Sequence, residues 1–303
     1  MSGFTTADIP DLAGQTAIVT GANSGLGLAT AQALAARGAR VVLAVRDQAK
    51  GQAAAAAVAG QASGRAEVRP LDLASLDSVR AFARDWSGPV DLLINNAGVM
   101  IPPLTRTADG FELQFGTNHL GHFALTGLLL PVVTATGRVV TVSSGVHQIG
   151  RIDFADLNWE RRRYRRWPAY AQSKLANLLF TSELQRRLTA AGSAVRATAA
   201  HPGYAATGLQ SHSGSRLTGF FMDTLGNRII AQDAVGGALP TLYAAVADIP
   251  GGTFAGPSRL GGLRGAPAPC ARSATASDAA VAGRLWTVSE ALTGVSFLDS
   301  QKQ

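Results

Sequence analysis

The sequence predicts an α/β fold: a single doubly wound, Rossmann-type domain in which a parallel sheet carries helices on both faces. Three observations predict it. Apolar runs of strand length alternate with longer segments of helical period along the 303 residues, the pattern of βα units joined by right-handed crossovers. Hydrophobic residues make up 47% of the chain and charged residues only 16%, a balance suited to strands buried on both faces. A glycine-rich turn, TGANSGLG, joins the first strand to the first helix.

Taken in order, the first strand is TAIVT (Thr16 to Thr20) and the first helix runs from about Gly25 to Arg37. The strand RVVLAVR ends at Arg46, and an alanine-rich helix continues through Ala59; alanine is the best helix former, so this run needs no special role. Then come the strand AEVRPLDL, the helix SLDSVRAFARDW, the strand VDLLINNAG, a helix from about Phe111 to Leu130 and the strand GRVVTVSS. Trp167 to Ala190 is helical and SAVRATAAHPG is the next strand. After about Thr207 the periodicity weakens and Gly and Pro increase, so this region is left undivided. Residues 1–303 are expected to form one domain, with 207–303 its substrate lid and C-terminal part.

Bulk properties narrow the function classes. The single cysteine, Cys270, excludes an internal disulfide and fits a reducing compartment. The start MSGFTTADIPDLAGQ lacks a cationic segment followed by an apolar run, and the apolar stretch from Phe123 to Val133 contains a proline and falls short of the roughly 20 residues of a membrane span. A cytoplasmic protein without membrane insertion is therefore expected. The formal net charge is +7, which raises nucleic acid as a partner. Only Arg161, Arg162, Arg163, Arg165 and Arg166 cluster, however, and a solvated loop is the better reading, so no nucleic-acid partner is expected.

The glycine loop does not fit G-x-G-x-x-G, because Thr30 stands three after Gly27. It fits T-G-x-x-x-G-x-G on Thr20, Gly21, Gly25 and Gly27, with Asn23, Ser24 and Leu26 completing the turn. Glycines let the backbone turn sharply and approach a pyrophosphate, while the helix N-terminus presents free N–H donors and partial positive charge. Cofactor discrimination belongs about 20 residues on, at the end of the second strand. There LAVRDQAK has Arg46 and no acid before Asp47. An acid would accept from a ribose 2′-hydroxyl, whereas a guanidinium pairs with a 2′-phosphate, so NADP(H) is expected.

One tyrosine stands out. Residues four apart share a helix face, which makes Tyr170 and Lys174 neighbours, whereas the residue four after Tyr164 is Pro168. Proline suits a first helical turn, so the helix starts near Pro168 and Tyr164 lies in the preceding loop. An ammonium beside a phenol favours the phenolate, the positive charge of an oxidised nicotinamide adds to the effect, and together they are expected to lower the Tyr170 pKa from its usual value near 10.

TGANSGLG, Leu71 to Leu73 (LDL), Asn95 to Gly98 (NNAG), TNHLGHF around Asn118, VSS ending at Ser144, YAQSK and HPG (His201 to Gly203) occur in the order of the short-chain dehydrogenase/reductase family. The chain resembles that family closely from about Gly14 to Thr207, and its LAVRD, NAGVM, HLGHF and YAQSKLANLLF are similar to the branch of retinol dehydrogenases, the WW-domain oxidoreductase and protochlorophyllide reductase. The resemblance implies that Asp72 and Leu73 border the adenine, that Asn96, Ala97 and Gly98 line the cofactor cleft, and that Pro202, Gly203 and Thr207 hold the nicotinamide carboxamide. It implies Asn118, Ser144, Tyr170 and Lys174 as the catalytic four, with Tyr170 and Lys174 also touching the cofactor. Tyr204 is bulkier than the small apolar residue expected after the glycine.

The expected function is hydride transfer between NADP(H) and a carbonyl or alcohol of an apolar small molecule, with Tyr170 as general acid/base. The alternatives are a non-catalytic NADP(H)-binding regulator and, behind it, a nucleic-acid binder. No metal is expected, because His119 and His122 stand three apart without further ligands. A lid is expected over Leu209 to Ile230, rich in Leu and Phe. The resemblance leaves a homodimer or homotetramer through the tyrosine helix open.

Overall fold

The computed structural model describes residues 3–60, 65–203 and 234–298. The strands within them are β1 (Thr16–Thr20), β2 (Arg40–Val45), β3 (Ala66–Pro70), β4 (Val90–Asn95), β5 (Val133–Val142), β6 (Arg196–Ala200), β7 (Phe254–Arg259) and β8 (Arg264–Pro269). The helices are α1 (Gly25–Ala35), α2 (Gln48–Ala59), α3 (Leu76–Arg84), α4 (Leu113–Phe115), α5 (Gly121–Leu129), α6 (Arg166–Ala190), α7 (Ala234–Val246) and α8 (Ala279–Thr293). The strands form one sheet in the order β3-β2-β1-β4-β5-β6-β7-β8. The chain winds outward from β1 to β3, then crosses to β4 and winds the other way. That reversal opens a crevice at the carboxyl ends of β1 and β4, where doubly wound folds bind ligands.

The strands are buried on both faces because their residues alternate between two cores. Ala17, Val19, Val41 and Leu43 pack on one side of the sheet, and Ile18, Val42 and Ala44 pack on the other. Each fully buried aliphatic side chain of this kind contributes about 1.5–3 kcal/mol. A third cluster lies under α6 and α8, with Leu175, Leu178, Leu179 and Leu285. The Asp278 side chain caps α8 by accepting from the amides of Ala280 and Val281. The helix carries Trp286, which meets Phe123 edge-on with ring centroids 5.1 Å apart and stacks on Phe180 at 5.9 Å.

Two features depart from the sequence reading. The sheet is parallel from β3 through β7, but β8 runs antiparallel to β7. Residues 260–263 connect these two strands, and so short a link can only return the chain antiparallel. Pro257 pairs with Pro267 in this outermost ladder, a place where missing N–H donors are tolerated. The helix expected from Phe111 to Leu130 is not continuous: a π-type stretch, Gly116–Leu120, separates α4 from α5 and contains Asn118. Thr207, Tyr204 and the expected lid lie outside the described residues.

Candidate active site

The loop after β1 presents the start of α1 to the crevice. Gly21 has φ 65°, and a Cβ there would sit 3.0 Å from Ala97. At Gly27 a Cβ would meet Asn96 Nδ2 and the Gly21 carbonyl, each at 2.5 Å, so only glycine lets the helix pack on the turn. Ser24 is the N-cap of α1, yet its side chain makes no capping bond and the first turn holds no acid. The helix end therefore keeps unpaired N–H donors and its positive dipole end, the physical form of an anion site. This fits the pyrophosphate of a dinucleotide. Arg46 follows β2 directly and is exposed, and no carboxylate pairs with it among the described residues.

Thr20 locks this loop to the NNAG turn after β4. Its hydroxyl accepts from the amides of Asn96 and Ala97, both at 2.9 Å, and its carbonyl accepts from Asn96 Nδ2 at 2.8 Å. Asp72 Oδ1 accepts from the Ala74 amide and the Asp72 amide donates to Ser78 Oγ, which fixes the turn after β3, and Leu73 is buried beside it.

The four residues of the implied catalytic set converge. Ser144 follows β5 and is half-buried, with its side chain close enough to the Tyr170 phenol to favour the ionised form. Lys174, 4% exposed, lies one helical turn after Tyr170 with Nζ 5.7 Å from that ring's centroid. Its ammonium donates to the Val142 carbonyl at 3.1 Å. A Cβ at Gly98 would stand 3.1 Å from Asn118 Oδ1 and 3.5 Å from Lys174 Nζ, so both crowd the same point. Three bonds hold the Asn118 amide: Oδ1 accepts from the Val99 amide at 2.8 Å, while Nδ2 donates to the Val99 carbonyl at 3.0 Å and to Ser173 Oγ at 2.9 Å. Ser173 passes its own proton to the Tyr170 carbonyl at 2.8 Å.

The electrostatics differ from the expectation for Tyr170. Burial pushes its phenol up to about 12, opposed only by the Ser144 side chain. Burial also lowers Lys174 to about 8. In the protein alone the desolvation of both groups outweighs their mutual attraction. Lowering the phenol would therefore take a further positive charge beside it.

Tyr164 lies in the loop before α6, as expected, but it is far from idle. Its hydroxyl donates to Glu112 Oε1 at 2.9 Å and accepts from Gln114 Nε2 at 2.9 Å. Gln114 Oε1 in turn accepts from the Ile101 amide at 2.8 Å, and Ile101 has φ 49°. This buried knot ties the loop after NNAG to the start of α6. Sequence spacing held no signal for it, since its members come from three separate segments.

The arginine cluster also divides on inspection. Arg161, Arg163, Arg165 and Arg166 are exposed. Arg162 instead pairs with Asp153 at 2.9 Å, donates to Gln172 Oε1 at 3.2 Å and lies 3.7 Å over the Trp159 ring. It thus fastens the long connection to the tyrosine helix. Beyond Ser144, a cavity of about 420 Å³ is lined by Gly145, His147, His201, Gly203, Pro257 and Leu263, among others. Among the described residues no group of three His, Cys, Asp or Glu side chains is placed to hold a metal, and no helix is long and apolar enough to cross a membrane.

A doubly wound sheet, a glycine loop at its switch point and a half-buried Ser with a buried Tyr and Lys beside that loop define a Rossmann-type oxidoreductase. The chain belongs to the short-chain dehydrogenase family, whose model matches residues 15–217. It falls in the branch of the retinol dehydrogenases. It is 46% identical to human retinol dehydrogenase 13 over 294 residues, covering 93% of this chain and 85% of that protein. Mouse polyprenol dehydrogenase is 43% identical over 308 residues, covering 96% and 88%. A crystal structure from Mycobacterium paratuberculosis superposes with TM-score 0.84 at 55% identity, covering 98% of this chain and 99% of that one.

Proposed function

We propose that the protein is an NADP(H)-dependent oxidoreductase of apolar carbonyls and alcohols, with Tyr170 as its general acid/base. The observation that carries this reading is the buried Tyr170 with Lys174 Nζ 5.7 Å from its ring centroid, one helical turn on, and with Ser144 acting on its phenol, beside the glycine loop. The nicotinamide, when bound, supplies hydride to the carbonyl carbon or accepts it from the alcohol. In the reductive direction Tyr170 gives its proton to the carbonyl oxygen, and Ser144 hydrogen-bonds that oxygen as charge develops. Lys174 holds a positive charge near the phenolate that remains and donates to the nicotinamide ribose. Gly21, Asn23, Ser24, Gly25, Leu26 and Gly27 cradle the pyrophosphate, Asp72, Leu73, Asn96, Ala97 and Gly98 border the rest of the dinucleotide, and Pro202, Gly203 and Thr207 hold the carboxamide. Arg46 takes the 2′-phosphate. Its exposed guanidinium, unpaired with any carboxylate among the described residues, supports that role.

The relatives' names agree with an apolar substrate, since retinol and polyprenol are both long isoprenoid alcohols. The domain is proposed to act as one unit in the cytoplasm.

The test follows NADPH and NADH oxidation with a panel of apolar aldehydes and ketones. NADPH should be preferred, and Tyr170→Phe should lower kcat by about 10²-fold or more while NADPH still binds by fluorescence titration. Turnover of that variant near the wild-type rate refutes the role of the phenol. NADPH binding without turnover of any carbonyl would identify a regulator instead.

A further inference from the structure

His122 is buried, 1% exposed, and both ring nitrogens have partners. Nδ1 lies 3.0 Å from the Asn118 carbonyl and Nε2 lies 2.9 Å from Thr20 Oγ1. A carbonyl only accepts, so Nδ1 carries the hydrogen. Thr20 Oγ1 already accepts from two amides, those of Asn96 and Ala97. Its two lone pairs are thereby used, and its one hydrogen is left to donate. That hydrogen goes to Nε2 at 2.9 Å in preference to the Ile94 carbonyl at 3.3 Å. The ring is thus a neutral imidazole in one tautomer. A second proton would face a hydroxyl with no acceptor site to spare, and Lys174 and His119, the titratable groups that act on this ring or are acted on by it, add no negative charge.

The result is a one-way chain of hydrogen bonds running from the NNAG amides through Thr20 and His122 to the Asn118 carbonyl. Its first half belongs to the cofactor loop and its last atom to the catalytic side. The Asn118 side chain is spent on Val99 and Ser173. Both Asn118 amide hydrogens are thereby used, and a water on the path between Lys174 and solvent can donate to the Asn118 main-chain carbonyl. His122 occupies one lone pair of that oxygen and leaves it one more to offer.

We propose that His122 is a positioning residue: held by Thr20 as the Nδ1–H tautomer, it orients the Asn118 carbonyl for proton resupply and couples the cofactor loop to that step. This rests on the oxidoreductase reading above for the proton step, while the tautomer itself does not.

The experiment has two arms. In [15N]histidine-labelled wild-type protein, the His122 signals, assigned by their loss in His122→Asn, should show a protonated Nδ1 and an unprotonated Nε2 from pH 8 to pH 5. The opposite tautomer, or titration in that range, overturns the proposal without any assay of activity. Thr20→Val, which takes the donor away from Nε2, should move the Nε2 resonance while Nδ1 stays protonated, and Thr20→Ser should leave it in place; an Nε2 resonance unchanged in Thr20→Val also overturns the proposal.

In the second arm, His122→Asn places an amide near the Nδ1 position, and His122→Gln places one near Nε2. The proposal expects His122→Gln to lose about tenfold to a hundredfold in kcat, with the acidic limb of its pH profile displaced and NADPH affinity kept, while His122→Asn retains most of kcat. Equal kcat in the two variants, or a loss confined to NADPH affinity, overturns it. Should wild-type protein bind NADPH and turn over no carbonyl, the proposed function fails and the tautomer measurement still decides this proposal.

Discussion

Tyr164 and Tyr170 stand six positions apart and have opposite duties. Tyr170 is buried, with Ser144 acting on its phenol. Tyr164 spends its hydroxyl on Glu112 and Gln114, inside the loop that supports the crevice. Tyr164→Phe should leave kcat within a few-fold and cost about 1–3 kcal/mol of stability, because buried Glu112 loses a donor; denaturant unfolding with parallel kinetics checks both halves. Lys174 shows the cost of placing a charge in the site. Burial lowers it to about 8 from 10.5, so the folded protein resists the protonated form and stability rises as pH goes from 8 to 10.5. Lys174→Met should remove turnover yet raise stability at pH 7 by up to about 3 kcal/mol. That gain should vanish above pH 10.5, which calorimetry across pH would show.

At the scale of elements, the site depends on where helices begin and where they break. α1 starts with an uncapped N-terminus packed against the glycine turn, and the 2.5 Å approach at Gly27 leaves no room for a methyl group. Gly27→Ala should raise the Kd for NADPH by about tenfold or more, read by fluorescence titration, since the helix end must move off the turn. The π-type stretch Gly116–Leu120 is the second device. It lies where Asn118 must reach Val99 with its amide and His122 with its carbonyl. A regular helix through Gly116–Leu120 would turn successive residues by a different angle, and π-type insertions are frequent at functional sites for this reason. α6 is the third: it carries Tyr170, Ser173 and Lys174 on successive turns, while Arg162 and Gln172 tie its start to the loop before it.

Across the whole molecule, charge avoidance sets the pH response. His119 is lowered to about 3 and His122 and His201 to about 4, each chiefly by burial. In the unfolded chain all three take up protons near pH 6.5. Their folded pKa values are depressed, so the unfolded state binds more protons below 6.5 and stability falls as pH drops from 6.5 toward 4. The midpoint of thermal unfolding should decline steadily over that window, and His119→Phe, which leaves the Ser289 contact unmade but removes one titrating ring, should flatten the decline. An unfolding midpoint constant from pH 6.5 to 4 would contradict it.

Some of this was legible along the chain and some was not. Strand and helix alternation, the glycine turn and the Tyr170–Lys174 pair depend on residues within a few positions of one another, and local periodicity and spacing report them directly. The antiparallel β8, the interruption at Asn118, the knot of Glu112, Gln114 and Tyr164, and the chain from Thr20 through His122 were decided only in the tertiary structure. Each joins segments far apart in sequence, as Thr20 and His122 are, 102 positions apart. The same holds for acidity: four-residue spacing brings an ammonium to a phenol, but whether that phenol is lowered or raised depends on how much water the assembled core excludes, and here exclusion wins.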